Sequence, residues 1–304
     1  MWLLSGCKEL ALPSFAEVPI PSIAITPEPT VSLTVIDITN TVSTRNQAAV
    51  VWTKDGSRHL GLLDFKQALV RQLNVPVNDE RQSVEINWLA DGTAFTYQQD
   101  SYGIAVVTDL YVVRADDSGE VHALLKNQPY FDGCEWRSNE QYLSCHYVSG
   151  HGELCEAKVF DPTTWRLTYD GLSACPWDQK TPATDDTDAA ALQFCRRFKD
   201  KYDNAYCTSK VSPNRDYVAL TTRVESPIKD ELVVLEVERR QVWRVGRVNN
   251  WQSTFRQWSW SADGRYLAWI EEDQIRVFDT ATHAITAYFI PDAKMLNVAW
   301  SPLQ

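Results

Sequence analysis

The 304-residue sequence lacks the features that would assign it to several functional classes. It has no run of 18 apolar residues, so we expect no transmembrane helix within it. Basic residues number 29 against 40 acidic ones, and the net charge of −11 disfavours binding to nucleic acid. No Gly-x-x-x-x-Gly-Lys or Gly-x-Gly-x-x-Gly phosphate loop and no Gly-x-Ser-x-Gly nucleophile motif occurs. We therefore predict no catalytic residues, no cofactor and no metal.

Aromatic residues, by contrast, are abundant, with 12 Trp, 12 Tyr and 10 Phe. These side chains favour strands because they pack well on pleated, half-buried surfaces. The seven cysteines divide into a lone Cys7 and six that lie between Cys134 and Cys207. An odd cysteine apart from a dense cluster indicates two roles, and the cluster indicates disulfides in an oxidising compartment.

A hairpin that carries Trp recurs along the chain. Its clearest copy is 258–269, where two aromatic-rich runs flank the turn Asp263-Gly264, and a second copy is 86–97 around Asp91-Gly92. Asp-Gly between alternating apolar runs predicts a hairpin, since such turns need positive φ. Looser copies complete the series, and the marker residues of the six copies are Trp52, Trp88, Trp136, Val211, Trp260 and Trp300.

The markers are 36, 48, 75, 49 and 40 residues apart. Spacings of about 40–50 suit a four-stranded unit, and the spacing of 75 indicates an insertion. The pattern Trp-Ser-x-Asp-Gly-x-x-Leu-Ala-aromatic resembles the blades of TolB-type, WD-repeat-like β-propellers over residues 31–304. The resemblance implies an all-β fold, a propeller of four-stranded antiparallel blades. We expect six blades, with five or seven as alternatives.

The two ends of the repeated region indicate how such a ring would close. Trp300 begins a hairpin with four residues remaining, and Val31–Asn40 is an apolar run without a partner hairpin. We expect these N- and C-terminal strands to complete one shared blade, and a truncated C-terminus is the alternative.

The copy of the hairpin at 134–145, which carries the marker Trp136, places two cysteines opposite each other. If its turn centres on Asn139-Glu140, Cys134 faces Cys145. Opposed residues in an antiparallel pair are close enough for a disulfide, so we predict a Cys134–Cys145 bond. Zinc is disfavoured because no Cys-x-x-Cys or Cys/His pair has finger-like spacing.

The other four clustered cysteines flank the strands and the insertion that follow. Cys155 and Cys175 bracket the last two strands of that unit, so we pair them, and Cys195 and Cys207 lie around an insertion at about 176–206. We predict a helix over residues 185–202, because acidic residues lie at its start and basic residues near its end, as the helix dipole favours. Six cysteines allow 15 connectivities, so other pairings stay open.

The first residues resemble a bacterial lipobox, because Leu4-Ser5-Gly6 precedes Cys7. The resemblance implies lipidation of Cys7, with 1–7 as a remnant of a lipoprotein signal. Six residues are fewer than the apolar stretch of a signal peptide, so a start further upstream and a chance match both stay open. Five prolines lie within residues 8–30, which we interpret as an extended tether before a propeller at 31–304.

Two groups of residues could be metal ligands by residue type, but local structure explains them better. His146 and His151 lie near Cys145 and Glu153, as expected of a polar loop, and the acidic run 185–188 suits a solvated helix start. We predict a non-enzymatic scaffold at the periplasmic face of the outer membrane or at the cell surface, anchored only by lipid. It would bind an envelope protein, with the insertion as the contact. The alternatives are an enzyme or carbohydrate-binding module with a central pocket and, third, a sensor domain.

Overall fold

The computed structural model contains 22 strands and almost no helix. It describes residues 29–302 apart from the segments 40–46, 78–82, 90, 102–106, 130–132, 138–141, 149–153, 162, 175–194, 196–205, 226–227, 240 and 248–257. Within the described part, no helix is long and apolar enough to cross a membrane.

Five sheets are built around sets of four antiparallel strands, and we number these sets as blades 1 to 5. Blade 1 contains β3 (Gln47–Lys54), β4 (Ser57–Asp64), β5 (Leu69–Leu73) and β22 (Ala293–Trp300). Blade 2 contains β6 (Ser83–Trp88), β7 (Ala94–Ser101), β8 (Val107–Arg114) and β9 (Val121–Pro129). Blade 3 contains β10 (Gly133–Arg137), β11 (Tyr142–Val148), β12 (Leu154–Phe160) and β13 (Leu167–Ala174). Blade 4 contains β14 (Tyr206–Val211), β15 (Tyr217–Glu225), β16 (Ile228–Glu236) and β17 (Gln241–Gly246). Blade 5 contains β18 (Trp258–Trp260), β19 (Tyr266–Glu271), β20 (Gln274–Asp279) and β21 (Ala284–Phe289).

These sheets form a β-propeller, as the sequence predicts. The first strand of each blade is the innermost one: β22 contacts both β18 and β6, and β6 contacts β10. The described residues form five blades rather than six. Trp52 and Trp300 belong to the same sheet, because β22 pairs with β3 and Trp300 lies opposite Ala48. Counting both as blade markers therefore counted one blade twice.

The hairpin turns explain why Trp52 differs from the other markers. In blades 4 and 5 a serine hydroxyl accepts the N–H of an aromatic residue five positions later and donates to an Asx side chain, as in Ser261 with Tyr266 and Asp263. The turn after Trp52 is instead the two-residue turn Asp55-Gly56, with both φ values positive at 53° and 78°. That turn joins the second and third strands of blade 1, so Trp52 is not on an innermost strand.

Blade 1 is closed by the two ends of the chain. The Ser301 N–H donates to the Gln47 carbonyl at 2.8 Å. The equivalent bond in blade 5, from the Ser261 N–H to the Tyr266 carbonyl, closes the first hairpin of that blade. The prediction of one blade shared between N- and C-terminal strands is therefore confirmed. The N-terminal strand is β3, however, and not the predicted run Val31–Asn40.

The run Val31–Asn40 forms an outer strap instead. Its strands β1 (Val31–Val35) and β2 (Asp37–Thr39) add in parallel to the outermost strands of blades 5 and 1, namely β21 and β5. Between them Ile36 is only 2% exposed, and its N–H donates to the Phe289 carbonyl. The run was wrongly placed because its partners β21 and β5 lie far away along the chain, and no turn or hairpin signal connects the run to them.

Apolar clusters fill the junctions between successive blades. Separate clusters join blades 1 and 2, 2 and 3, 4 and 5, and 5 and 1. The junction between blades 3 and 4 differs. The face of blade 4 that turns away from blade 5 forms its own cluster, against which Cys195 packs. Of the predicted insertion at about 176–206, the structure describes Cys195, which is helical, and Tyr206, which begins β14.

Candidate functional site

The innermost strands surround the axis of the ring, where propellers bind ligands. The indole N–H of Trp88 on β6 donates to the Ala299 carbonyl of blade 1 at 2.8 Å. Trp260 on β18 donates in the same way to the Lys210 carbonyl of blade 4 at 3.0 Å. Each acceptor is the residue just before the marker of the preceding blade. These two Trp residues therefore join neighbouring innermost strands, as their repetition suggests.

The remaining markers differ in their contacts. Trp300 packs on Phe65 and Tyr266, with its backbone N–H on the Ser259 hydroxyl at 3.1 Å. Trp52 is fully buried and stacks on His59. Val211 has no indole and packs on the blade 4 face that carries Cys195. For Trp136 the structure describes only the backbone, opposite Leu143.

The position before each marker lies on an innermost strand and carries different chemistry in each blade. It is Asn87 in blade 2, Ser259 in blade 5, Ala299 in blade 1 and Lys210 in blade 4. Burial of the Lys210 ammonium group lowers its pKa, while other parts of the residue are exposed to solvent. No acidic side chain contributes to that shift. The sequence motifs alone do not distinguish Lys210. Its position directly before the marker Val211 is the one sequence signal that places it on an innermost strand.

The predicted register of the cysteine hairpin is confirmed, since Cys134 lies directly opposite Cys145. Cys145 is fully buried and is disulfide-bonded, and Cys195 is disulfide-bonded as well. Cys155 lies opposite Ser173, and Cys207 lies opposite Thr222. The predicted pairings Cys134–Cys145 and Cys155–Cys175 stay predictions.

Other predicted site residues lie outside the described part of the chain. These are the lipidation residue Cys7, the tether up to residue 28, Cys175, and the loop and acidic-run residues His151, Glu153 and 185–188. Among the described residues no group of three or more His, Cys, Asp and Glu side chains could hold a metal ion.

A buried polar cluster in blade 2 is the strongest candidate for paired catalytic carboxylates. Asp100 and Asp109 are 4% and 7% exposed. Asp100 accepts hydrogen bonds from the Gln98 amide and, at 2.7 Å, from the Thr108 hydroxyl. Asp109 accepts the Asn127 backbone N–H. Both lie on middle strands and are held by protein donors, so the cluster stabilises blade 2 and does not face the axis.

A second buried carboxylate lies at the junction of blades 4 and 5. Glu271 accepts the Trp269 indole N–H at 3.1 Å and pairs with Arg276 at 3.3 Å. A Cβ on Gly246 of blade 4 would lie 2.3 Å from the same carboxylate oxygen. Glycine at 246 thus lets Glu271 pack against the neighbouring blade, which makes this cluster structural too.

Exposed apolar side chains occur on the rim rather than at the axis. The large apolar residues that are exposed in the described part all lie on outermost strands: Val31, Leu33, Val35, Ile38, Leu167 and Tyr169. Leu33 is the most exposed of them at 68%. Val31, Leu33 and Val35 form an alternating row on β1, which we call the rim row.

No protein-family model matches the sequence, and no curated protein matches it. Solved structures with a similar fold include TolB from Acinetobacter baumannii, with 9% identity, a TM-score of 0.41, and coverage of 84% of this chain and 66% of that one. An oligogalacturonate lyase from Vibrio parahaemolyticus has 10% identity, a TM-score of 0.30 and coverage of 82% and 66%. The β-propeller domain of the Trilobed protease from Pyrococcus furiosus has 11% identity, a TM-score of 0.31 and coverage of 87% and 71%.

The chain thus spans just under two thirds of the length of the TolB and lyase chains. These similar structures are β-propeller proteins, and two of them come from proteins named as enzymes, a lyase and a protease. At such low identity we base the propeller assignment on the strand topology and transfer no activity.

Proposed function

We propose that this protein is an exported, non-enzymatic β-propeller scaffold, anchored through lipid at Cys7, that binds an envelope protein. The observation that carries the proposal is the rim row. Exposed aliphatic side chains on an outermost strand are a typical protein-binding feature, because strands there have an unpaired edge. The disulfides at Cys145 and Cys195 support export to an oxidising compartment.

The rim row differs from the other outermost strands in its charge. Strands β9, β13 and β17 carry Lys126, Asp170 and Arg244, which are side chains of the kind that protect an edge from pairing. Strand β1 has no charged residue, and it is the last strand of its sheet. A partner that adds an extended apolar segment beside β1 would cover Val31, Leu33 and Val35 and satisfy the free backbone groups of the edge.

The test is site-specific photo-crosslinking in intact cells with the full-length protein. A crosslinker at Leu33 should capture one discrete protein, whereas the matched control at exposed Lys126 on β9 should not. Leu33→Glu should remove the crosslink and leave thermal unfolding unchanged, because the side chain is exposed. Equal labelling from both positions, or none from Leu33, would overturn the assignment of the rim row.

Export and anchoring have their own tests. Palmitate labelling, with the upstream reading frame restored, should mark the wild type and not Cys7→Ser. Peptide mapping without reductant should recover Cys134 joined to Cys145. Absence of label in the wild type would remove the anchor, and free thiols at both positions would contradict export.

The alternative function is an enzyme or carbohydrate-binding module that uses the axis of the ring. Its supporting observation is the polar set of residues before the markers, Asn87, Ser259 and Lys210. Saturable binding of a glycan to the full-length protein, without any rim crosslink, would favour this alternative over the scaffold.

A further inference from the structure

The outer edge of β1 exposes backbone groups at every second residue. The Thr30 carbonyl accepts the Ile285 N–H at 3.3 Å, and the Ile36 N–H donates to the Phe289 carbonyl at 2.8 Å, so the even-numbered residues bond toward β21. Successive residues of a strand direct their backbone groups to opposite sides. The N–H and C=O groups of the rim row therefore point outward, where no strand of the described chain pairs with them.

The sequence of β1 has nearly the same chemistry in both directions. It reads Val31-Ser32-Leu33-Thr34-Val35. An antiparallel pair with an identical strand, centred on Leu33, therefore places Val opposite Val and Ser opposite Thr. An interface between two identical chains about a twofold axis requires such self-complementarity, whereas the binding of an unrelated protein does not.

This register also pairs the whole outward edge. In antiparallel strands, opposed residues whose backbone groups point toward each other exchange both hydrogen bonds. Leu33 lies opposite the same residue of the second copy, and Val31 lies opposite Val35, so every outward group of the rim row gains a partner. A shift by one residue would instead oppose the rim row to Ser32 and Thr34, whose backbone groups point to β21.

Side chains and charge agree with the same pairing. Opposed side chains project from one face of a sheet, so the rim rows of the two copies lie side by side. Leu33, which is 68% exposed, lies at the centre and gains the most cover. Beyond the strand, the register places Asp37 opposite Pro29, so no two like charges face each other along this edge.

We propose that the rim row binds a second copy of this chain, through antiparallel pairing of the two β1 strands about a twofold axis at Leu33. The inference rests on the proposed function, because it names the partner of the same surface. The edge is short, so we expect a reversible dimer and not a permanent one. An extended apolar segment of a different envelope protein is the competing occupant.

Sedimentation velocity over a range of concentrations tests the dimer in full-length Cys7→Ser protein, in which lipid cannot drive association. The sedimentation coefficient should rise with concentration from the monomer value toward the dimer value. Leu33→Glu should keep the monomer value throughout, since it places two carboxylates opposite each other. The matched control Leu167→Glu makes the same change at an exposed position of β13 and should still dimerise.

Mixtures of opposite charge test the twofold register. Leu33→Lys alone should be monomeric, and an equal mixture of Leu33→Glu and Leu33→Lys should recover the dimer, because position 33 faces itself. Within one chain, Val31→Glu combined with Val35→Lys should dimerise, whereas Val31→Glu combined with Val35→Glu should not. Far-UV circular dichroism verifies that each variant is folded, as expected for changes at exposed side chains.

Three results would overturn the dimer: a sedimentation coefficient that is independent of concentration, a dimer that Leu33→Glu leaves intact, and a charge mixture that stays monomeric. The proposed function can fail separately. If the purified protein is monomeric while the crosslinker at Leu33 captures a different protein in cells, the scaffold function stands and the dimer does not. If the purified protein dimerises while the crosslinker captures nothing in cells, the dimer stands and the scaffold function does not.

Discussion

The junction between blades 5 and 1 and the junction between blades 3 and 4 are built in opposite ways. At the first, the outer strap with Ile36 pairs with strands of both blades, and a shared apolar core packs blade 5 against blade 1, whose sheet β22 completes beside β3. At the second, the described contact is Cys195 of the insertion on the face of blade 4. The described residues thus show packing where the ring closes and, at the insertion, a disulfide-bonded cysteine that packs against blade 4.

The largest effect is expected from Trp52→Ala at the closing junction. Trp52 is fully buried and packs over Gly61, where a Cβ would lie 3.0 Å from its ring. Removing the indole leaves a large cavity, so urea unfolding should show a loss of about 3–5 kcal/mol. Leu167→Ala, at a position that is 47% exposed, is the control and should change stability by less than about 1 kcal/mol. Similar losses in both variants would mean that packing does not close the ring.

Cys195→Ala tests the covalent side of the comparison. The variant loses a disulfide, so the free energy of unfolding should fall by about 2–4 kcal/mol. The wild type in dithiothreitol should show a loss at least as large, whereas Cys195→Ala should respond less to the reductant. If reductant leaves the wild-type unfolding curve in place, the disulfide does not stabilise the insertion.

A smaller effect is expected from Ile36→Val in the outer strap. Ile36 is 2% exposed and loses one buried methylene, which should cost about 1 kcal/mol in thermal unfolding. Ile38→Val makes the same chemical change two residues later, where the side chain is 48% exposed, and should have no measurable effect. Equal results for the two variants would show that the strap does not contribute to closure.

The smallest effect is expected on the acid dependence of stability, through an ion pair in blade 5. Burial opposes ionisation of Asp279, but hydrogen bonds, chiefly from Arg265 at 2.9 and 3.1 Å, outweigh it and hold the pKa below its usual value. Because the folded pKa is lowered, the stabilisation is present above the unfolded pKa and is lost as the pH falls through the folded pKa. Asp279→Asn should therefore lower stability at pH 7 by less than about 1 kcal/mol, and the difference from the wild type should shrink as the pH falls through the folded pKa. A difference that grows toward acid pH would contradict this sign.

Local turn and register chemistry made much of the fold predictable. The Asp-Gly signals located the first hairpins of blades 2 and 5, and Gly92 and Gly264 do have positive φ values of 66° and 71°. The register that places Cys134 opposite Cys145 was predicted by counting residues outward from the turn of that hairpin. The number of blades could not be predicted in this way. Asp55-Gly56 also predicts a hairpin, but it does not indicate which strands of the blade the turn joins.

The candidate sites were harder to predict than the fold. The burial that lowers the pKa of Lys210 depends on which residues other parts of the chain place around it. The rim row depends on how the strap is oriented on β21, and the alternation in Val31–Val35 alone does not show which side is covered. Both features arise from contacts between distant parts of the chain, whereas turns and pairs of adjacent strands are local.

The position of β22 has a consequence for synthesis. Strands β3 to β5 emerge early, but the strand that completes their sheet is the last to be made, beginning at Ala293. Until then the inner edge of β3 has unpaired backbone groups, and a nascent chain in that state is an open template for aggregation. The ring can therefore become complete only after Ala293–Trp300 has been made, and premature termination before Ala293 would leave it open.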